Sequence, residues 1–405
     1  MKISQLFFLI ILFISSQAQR SNTYQSDLSE LQNILQKTPS YQTQIKGQKL
    51  IDYSRLVEKL RKDTVTNISG YKYFYNLAQL FFPINDNHLS FYQTANFSKE
   101  ADFPVFPGNV DSLKSVLKKR SLDSLEGIYN YDKYYTVGLY KSNNAEYIGV
   151  VLNSKVPNWK KGQIAIQLYE FMPSYFKAIY VHPKNKNYIF QPVEKFTNHS
   201  LINSNFYSSL SEKVYSKYYK KYDFVNTPKS LEDFVLKTIS PGVQYLHIKQ
   251  FSADMIKRDV SKRFYDSIKN LLTEPNLILD LRNNKGGSFE VSQKFVKLIE
   301  QYTKLGKVFI LVNNGTLSQG EIFTLQLKQL QNVKILGQTT KGMLTYGSNY
   351  GKRSKLPSQS FEVFITDFEA DKRLLAYENY GIKPDIVLLD TKDWISQTIK
   401  LIRKK

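Results

Sequence analysis

Leu277-Ile278-Leu279-Asp280-Leu281-Arg282-Asn283-Asn284-Lys285-Gly286-Gly287 begins as an apolar run and ends in paired glycines. A short apolar run bounded by turn residues reads as a strand buried on both faces, the texture of a parallel sheet covered by helices. The glycines let the backbone turn sharply and aim N–H groups outward, as a site for a developing oxyanion requires. Outward from this stretch the period alternates. Strands are expected over 243–251, 308–312 and 333–336, and helices over 254–272, 290–301 and 319–331. Strand and helix in alternation predict an α/β unit with a mostly parallel sheet over 235–395.

Upstream the texture differs twice. From 21 to 82 the apolar residues recur at helical spacing, with Leu28, Leu31 and Leu35 as one stripe and Phe74, Leu77, Leu80 and Phe81 as another. Pro83 ends that pattern, so Asn85-Asp86-Asn87-His88 is a turn or capping loop. Between 127 and 196 the period is two, with strands expected over 134–140, 146–152, 163–169 and 178–182. That predicts an antiparallel sheet or small barrel of about 70 residues. The division expected is an N-terminal helical segment over 19–105, an inserted β module over 120–200, and the α/β unit.

Composition removes several classes of function. The 405 residues include no cysteine, which excludes disulfide scaffolds, cysteine nucleophiles and Cys-type zinc sites. The net charge of +21 raises nucleic acid as a partner, but only ten of the 56 basic residues are Arg. Guanidinium forks do most base-edge reading, so a Lys-rich surface is the expectation and nucleic acid is not. At the start, Lys2, the apolar run Leu6 to Ile14, and Ser16-Gln17-Ala18 have the three-part layout of a secretory signal peptide over 1–18. The run is too short for a bilayer span, so no stable membrane span is expected after cleavage. Export to a periplasmic or secreted location follows.

A second strand end carries Gly315-Thr316-Leu317-Ser318-Gln319-Gly320-Glu321. Ser318 stands at the mouth of the expected helix, where free N–H groups favour a developing anion. A plain N-cap is the structural alternative for that serine. No His, Asp or Glu cluster has metal-ligand spacing and no loop cradles phosphate, so no metal and no cofactor are expected.

Taken with Gly337-Gln338-Thr339-Thr340-Lys341-Gly342 and Glu378-Asn379-Tyr380-Gly381-Ile382-Lys383-Pro384-Asp385, these motifs resemble the tail-specific, C-terminal-processing serine peptidase family. The resemblance covers about residues 240–390, with Asp86-Asn87-His88 similar to an upstream Asp-x-His motif. It implies a crotonase-like α/β core with Ser318 as nucleophile, and backbone N–H groups of Gln319 and of Gly286 or Gly287 as the oxyanion hole. One branch of the family activates its serine with a lysine. Aligning Gly342 with the first glycine of that element puts Met343 where the lysine belongs, and Lys341 lies two positions early. The other branch, similar to the tricorn core protease, uses an upstream His and a downstream Glu, offered here by His88 and Glu378. A serine hydroxyl needs a base beside it, and imidazole is the natural one near neutral pH.

The reading is an exported serine peptidase acting on peptide or protein substrates through an acyl-enzyme on Ser318. Two alternatives stay open: a Ser318–Lys341 dyad, and an inactive binding or scaffold protein that uses the β module. Substrate preference and oligomeric state are not legible. The small residues at Ser16 and Ala18 predict a mature N-terminus at Gln19. Terminal sequencing of exported protein checks this, and an intact Met1 would sink the export argument.

Overall fold

The structure is a computed structural model that describes residues 23–94 and 103–404. The expected signal segment 1–18 and its cut before Gln19 lie outside the described residues. Contacts divide the chain into two units, one running to residue 219 and including 348–368, the other formed by 220–347 and 369–405.

In the first unit, helices run over 23–36 (α1), Pro39–Gln44 (α2), Gln48–Arg61 (α3) and Tyr71–Ala78 (α4). Both stripes expected from helical spacing are buried, from Leu28 through Phe81. Strand β1 (Ser90–Gln93) and helix α5 (Val110–Leu117) lead to β2 (Gly127–Tyr131), β3 (Tyr135–Asn143), β4 (Glu146–Ser154), β5 (Ile164–Met172), β6 (Tyr175–Val181) and β7 (Tyr188–Thr197). Each of these pairs antiparallel with the next from β2 to β7. Two short strands, β8 (Ser200–Leu201) and β9 (Tyr215–Ser216), then link β7 back to β2 and close an antiparallel barrel. The sheet also extends past β7 through β1 to β16 (Phe361–Glu369), with β15 (Tyr346–Lys355) at its edge. The sequence separates a helical segment from a β module, whereas here both share one aromatic core. Phe74 of α4 stacks on Phe91 of β1 with centroids 4.7 Å apart, and Tyr73 stacks on Phe361 of β16 at 5.3 Å.

The second unit is α/β, as the alternating period predicts. Its strands are β10 (Phe234–Ser240), β11 (Val243–Ile248), β12 (Asn276–Asp280), β13 (Lys307–Val312), β14 (Val333–Gly337) and β17 (Ile386–Val387), paired in that order. Only β10–β11 is antiparallel. The helices are α6 (Met255–Ile268), α7 (Phe289–Tyr302), α8 (Gln319–Lys328) and α9 (Trp394–Arg403). Alternation along β12 explains the layers. Leu277, Leu279 and Leu281 pack with Phe295 and Ile299 of α7 and with Phe323 and Leu327 of α8. Ile278 faces the other way, into a core that holds Phe309, Leu311, Leu336 and Trp394 of α9. Among the described residues no helix is long and apolar enough to cross a membrane.

Trp394 closes that second face. Its ring is fully buried, its Nε1 donates to Leu389 O at 3.1 Å, and the Arg282 guanidinium lies 5.5 Å above it. Trp394→Ala should cost about 3–5 kcal/mol, the usual range for emptying a large aromatic site. Urea unfolding checks this, and a loss below about 1 kcal/mol would contradict the packing described.

Candidate active site

Strands β11 to β14 run parallel, with Leu246, Leu279, Ile310 and Ile335 successively opposite one another. Their C-terminal ends therefore leave the sheet at one edge, where ligand sites of open α/β sheets form. Asp280 ends β12 and forms an ion pair with Arg282. Arg282 Nη2 donates to its Oδ2 at 2.6 Å and Nε lies 3.0 Å from Oδ1, while Tyr245 Oη adds a bond at 2.9 Å. The pair is buried with its hydrogen bonds made, which is the condition for a buried charge pair to be tolerated. Its place is at the foot of the turn, as a fixed post.

Ser318 is the N-cap of α8, but not a plain one. Its φ is +53° and its ψ −125°, whereas N-cap residues ordinarily sit in the extended region. Non-glycine residues in the left-handed region cost of order 1–3 kcal/mol and gather at functional sites. The turn is held by backbone and by one carboxylate: Ser318 N–H donates to Met343 O at 2.8 Å and to Glu321 Oε2 at 3.2 Å.

The glycine turn lies against this serine. A Cβ on Gly286, whose φ is +74°, would stand 2.6 Å from Gln319 N and 2.9 Å from Ser318 Cβ, so only glycine fits. The Gly286 N–H is already used, donating to Asn284 Oδ1 at 2.8 Å. Gly287 differs. Its neighbours clasp Phe251, with Phe251 N–H bound to Gly286 O at 2.7 Å and Ser288 N–H to Phe251 O at 2.6 Å. The Gly287 N–H between them makes no hydrogen bond among the described residues. The Gln319 N–H, first in α8, is likewise unpaired, as the first helical N–H groups are. Of the three groups expected at the oxyanion, Gly287 and Gln319 have their donors available and Gly286 does not.

Glu378 is fully buried, and its Oε2 accepts from Leu344 N–H at 3.0 Å and Thr345 N–H at 2.8 Å. Its segment packs on the turn after β14 through glycine: a Cβ on Gly342 would meet Asn379 C at 2.6 Å. Lys341 N–H donates to Thr316 O at 3.0 Å, and Met343 O accepts from Ser318 N–H at 2.8 Å. Ser318, Gln319, Gly286, Gly287, Lys341 and Glu378 all fall in the second unit, and His88 falls in the first.

Within the first unit His88 is half-buried, and its backbone N–H donates to Asp86 Oδ1 at 3.0 Å. Asp86 also accepts from Thr366 Oγ1 at 2.6 Å, and burial pushes its carboxyl up to about 6. The His88 Nδ1 is buried without a hydrogen-bond partner, and burial lowers the imidazole to about 4. The other histidines have local duties. His182 Nδ1 accepts from the backbone N–H groups of Lys184 and Asn185, His199 faces Asp123, and His247 Nδ1 bonds Asp280 O at 3.1 Å.

With the geometry in hand, comparison with known proteins adds a class. Residues 242–304 and 290–388 match peptidase family S41. That stretch carries a serine-type peptidase domain. No curated protein matches the chain. Among solved structures it is similar to mature CPAF complexed with lactacystin, at 12% identity over 95% of this chain and 98% of that one, with a TM-score of 0.45. It is similar to the photosystem II D1 C-terminal processing protease at 15% identity, over 90% and 93% of the two chains, with a TM-score of 0.38. The tricorn protease matches at 22% identity over 40% of this chain and 17% of that one, with a TM-score of 0.30.

Sequence reasoning assigned nothing to Glu321, Asn284 or the Met343 backbone. The spacing Ser318-x-x-Glu321 is a capping-box signature and could have flagged Glu321. Gly287→Ala is the sharpest probe of the turn, because its Cβ would stand 2.1 Å from Phe251 O at a φ of +130°. Relieving that clash must move one of the two segments, and peptidase turnover should fall roughly a hundredfold, as misplacements near 1 Å do. Steady-state kinetics checks this; wild-type turnover would show that the turn is slack.

Proposed function

We propose that the chain is an exported serine peptidase of the tail-specific type, with a crotonase-like core and Ser318 as its nucleophile. The observation that carries this is the Ser318 turn. A strained serine stands at a helix mouth, with the unpaired Gln319 N–H beside it and the glycine turn pressed against its Cβ. Ser318 Oγ attacks the scissile carbonyl. The carbonyl oxygen gains negative charge between the Gln319 and Gly287 N–H groups, which bind it more tightly as the charge develops. The acyl-enzyme then yields to water by the same steps in reverse order of proton transfer.

In this proposal His88 takes the Ser318 proton and later gives it to the leaving amine, and Glu378 orients the imidazole. Two observations support His88 in that role. Its buried Nδ1 has no partner, and its lowered pKa keeps the ring neutral, hence able to accept a proton, through the neutral range. Peptides or proteins are the substrates that follow. The alternative base is Lys341, and Lys341→Met separates the two: turnover should largely survive if His88 is the base. A fall of roughly a thousandfold with the fold intact would transfer the role.

The test is labelling of the purified mature protein by a fluorophosphonate probe. Wild type should be modified at Ser318; Ser318→Ala should lose labelling, and His88→Ala should lose nearly all turnover. Because the three residues act in one step, Ser318→Ala/His88→Ala should be hardly worse than either single variant. Additive losses would break the pairing. The pH profile follows from the sign of the shift. A base lowered to about 4 is lost only as pH falls through that value, so kcat/KM should stay level down to about pH 5 and then decline. An acid limb centred near 6.5 would mean that an ordinary, solvated imidazole does the work.

A further inference from the structure

The buried Glu321 has no part in the chemistry just described, yet four donors of the site converge on it. Its side chain is fully buried in the first turn of α8. Oε1 accepts from Thr340 Oγ1 at 2.5 Å and from Gly342 N–H at 2.8 Å. Oε2 accepts from Met343 N–H at 2.9 Å and from Ser318 N–H at 3.2 Å. Ser318 N–H meets Met343 O as well, so serine, carboxylate and residue 343 form a closed ring of hydrogen bonds. Thr340 carries the chain of contacts further, since its Oγ1 accepts from Ile382 N–H at 2.7 Å on the segment that bears Glu378.

We infer that Glu321 is a positioning residue. Its carboxylate holds Ser318 in the left-handed conformation and ties the nucleophile's turn to the turn after β14. This inference rests on the reading of Ser318 as nucleophile. Charge is what makes the device work. Backbone N–H groups aimed at both oxygens need an acceptor at each, and a carboxylate is acceptor-only. Hydrogen bonds to an ionised acceptor are roughly twice as strong as neutral ones, enough to offset backbone strain of the size found at Ser318. The device also accounts for Met343. That residue contributes its N–H and its C=O, and neither depends on which side chain it carries.

The variants follow from that chemistry. Glu321→Gln keeps size and turns one acceptor into an NH2 group that faces N–H donors. Glu321→Asp keeps both acceptors on a shorter arm. Thr340→Val removes one donor to the carboxylate, and the acceptor of Ile382 N–H with it, and leaves the carboxylate in place. The experiment is fluorophosphonate labelling of Ser318 across probe concentrations, with saturation separating probe affinity from the maximal rate, and a thermal unfolding midpoint for each variant. Glu321→Gln should lower the maximal labelling rate roughly a hundredfold with probe affinity unchanged, and Glu321→Asp should restore a substantial part. The pH midpoint of labelling should not move in any variant, because the base is untouched. Should Glu321→Gln fail to fold, Thr340→Val carries the test with an expected loss on the order of tenfold. Wild-type labelling rates in folded Glu321→Gln, or in Thr340→Val where that is the variant used, would overturn the positioning role alone. A loss confined to affinity, or one that vanishes when the assay is cooled well below the unfolding midpoint, would overturn it too. Absence of labelling in the wild type would instead remove Ser318 as nucleophile, and the inference with it.

Discussion

Parallel register across β11, β12, β13 and β14 is the constraint on which the candidate site depends. Four strands that run one way deliver four turns to one edge: 249–252, 281–288, 313–318 and 338–343. None of these turns has a regular partner of its own. They satisfy their backbone groups on each other, as when Leu317 N–H donates to Asn284 O and Lys341 N–H to Thr316 O. A shift of β12 by one residue would exchange the faces of Leu277, Ile278 and Leu279 and disrupt both cores at once. Burial on the two faces of the sheet therefore sets the positions of Ser318 and the glycine turn.

Glycine and asparagine refine what the register places. Asn284 is fully buried and works three ways: its Nδ2 donates to Ile248 O at 2.8 Å, its Oδ1 takes the Gly286 N–H, and its backbone O takes Leu317 N–H. Gly320 makes room for it, since a Cβ there would lie 2.7 Å from Asn284 Oδ1. Consuming the Gly286 donor in this way leaves the Gly287 N–H as the one without a hydrogen bond among the described residues.

Much of the α/β unit was legible because its signals are local. The 277–281 run became β12, and the helical stripes at 290–301 and 319–331 became α7 and α8 within a few residues. What stayed hidden depends on partners distant in sequence. The strand β10 alternates weakly, since its residues are half-exposed or exposed at a sheet edge. The β15 strand carries glycine, lysine and arginine through 346–355, and β16 is stabilised by pairing with β1, about 270 positions upstream. The serine and the glycine pair could be read from turn chemistry. The role of Glu321 could not, because a carboxylate in a first helical turn looks like a dipole partner until the turn after β14 is folded against it.

The chain leaves the second unit after residue 347 and re-enters it at 369. That route has a consequence for synthesis. On a ribosome the β11 to β14 strands emerge before Glu378, β17 and the Trp394 ring that seals one face. The intervening 348–368 segment completes the first unit's sheet, through the pairing of β16 with β1. A nascent chain released short of its last few dozen residues would carry Ser318 and its glycine turn over an unsealed core. A single cut in the chain between 347 and 369 would therefore touch both units, since β16 pairs with β1 in the first and β17 with β14 in the second.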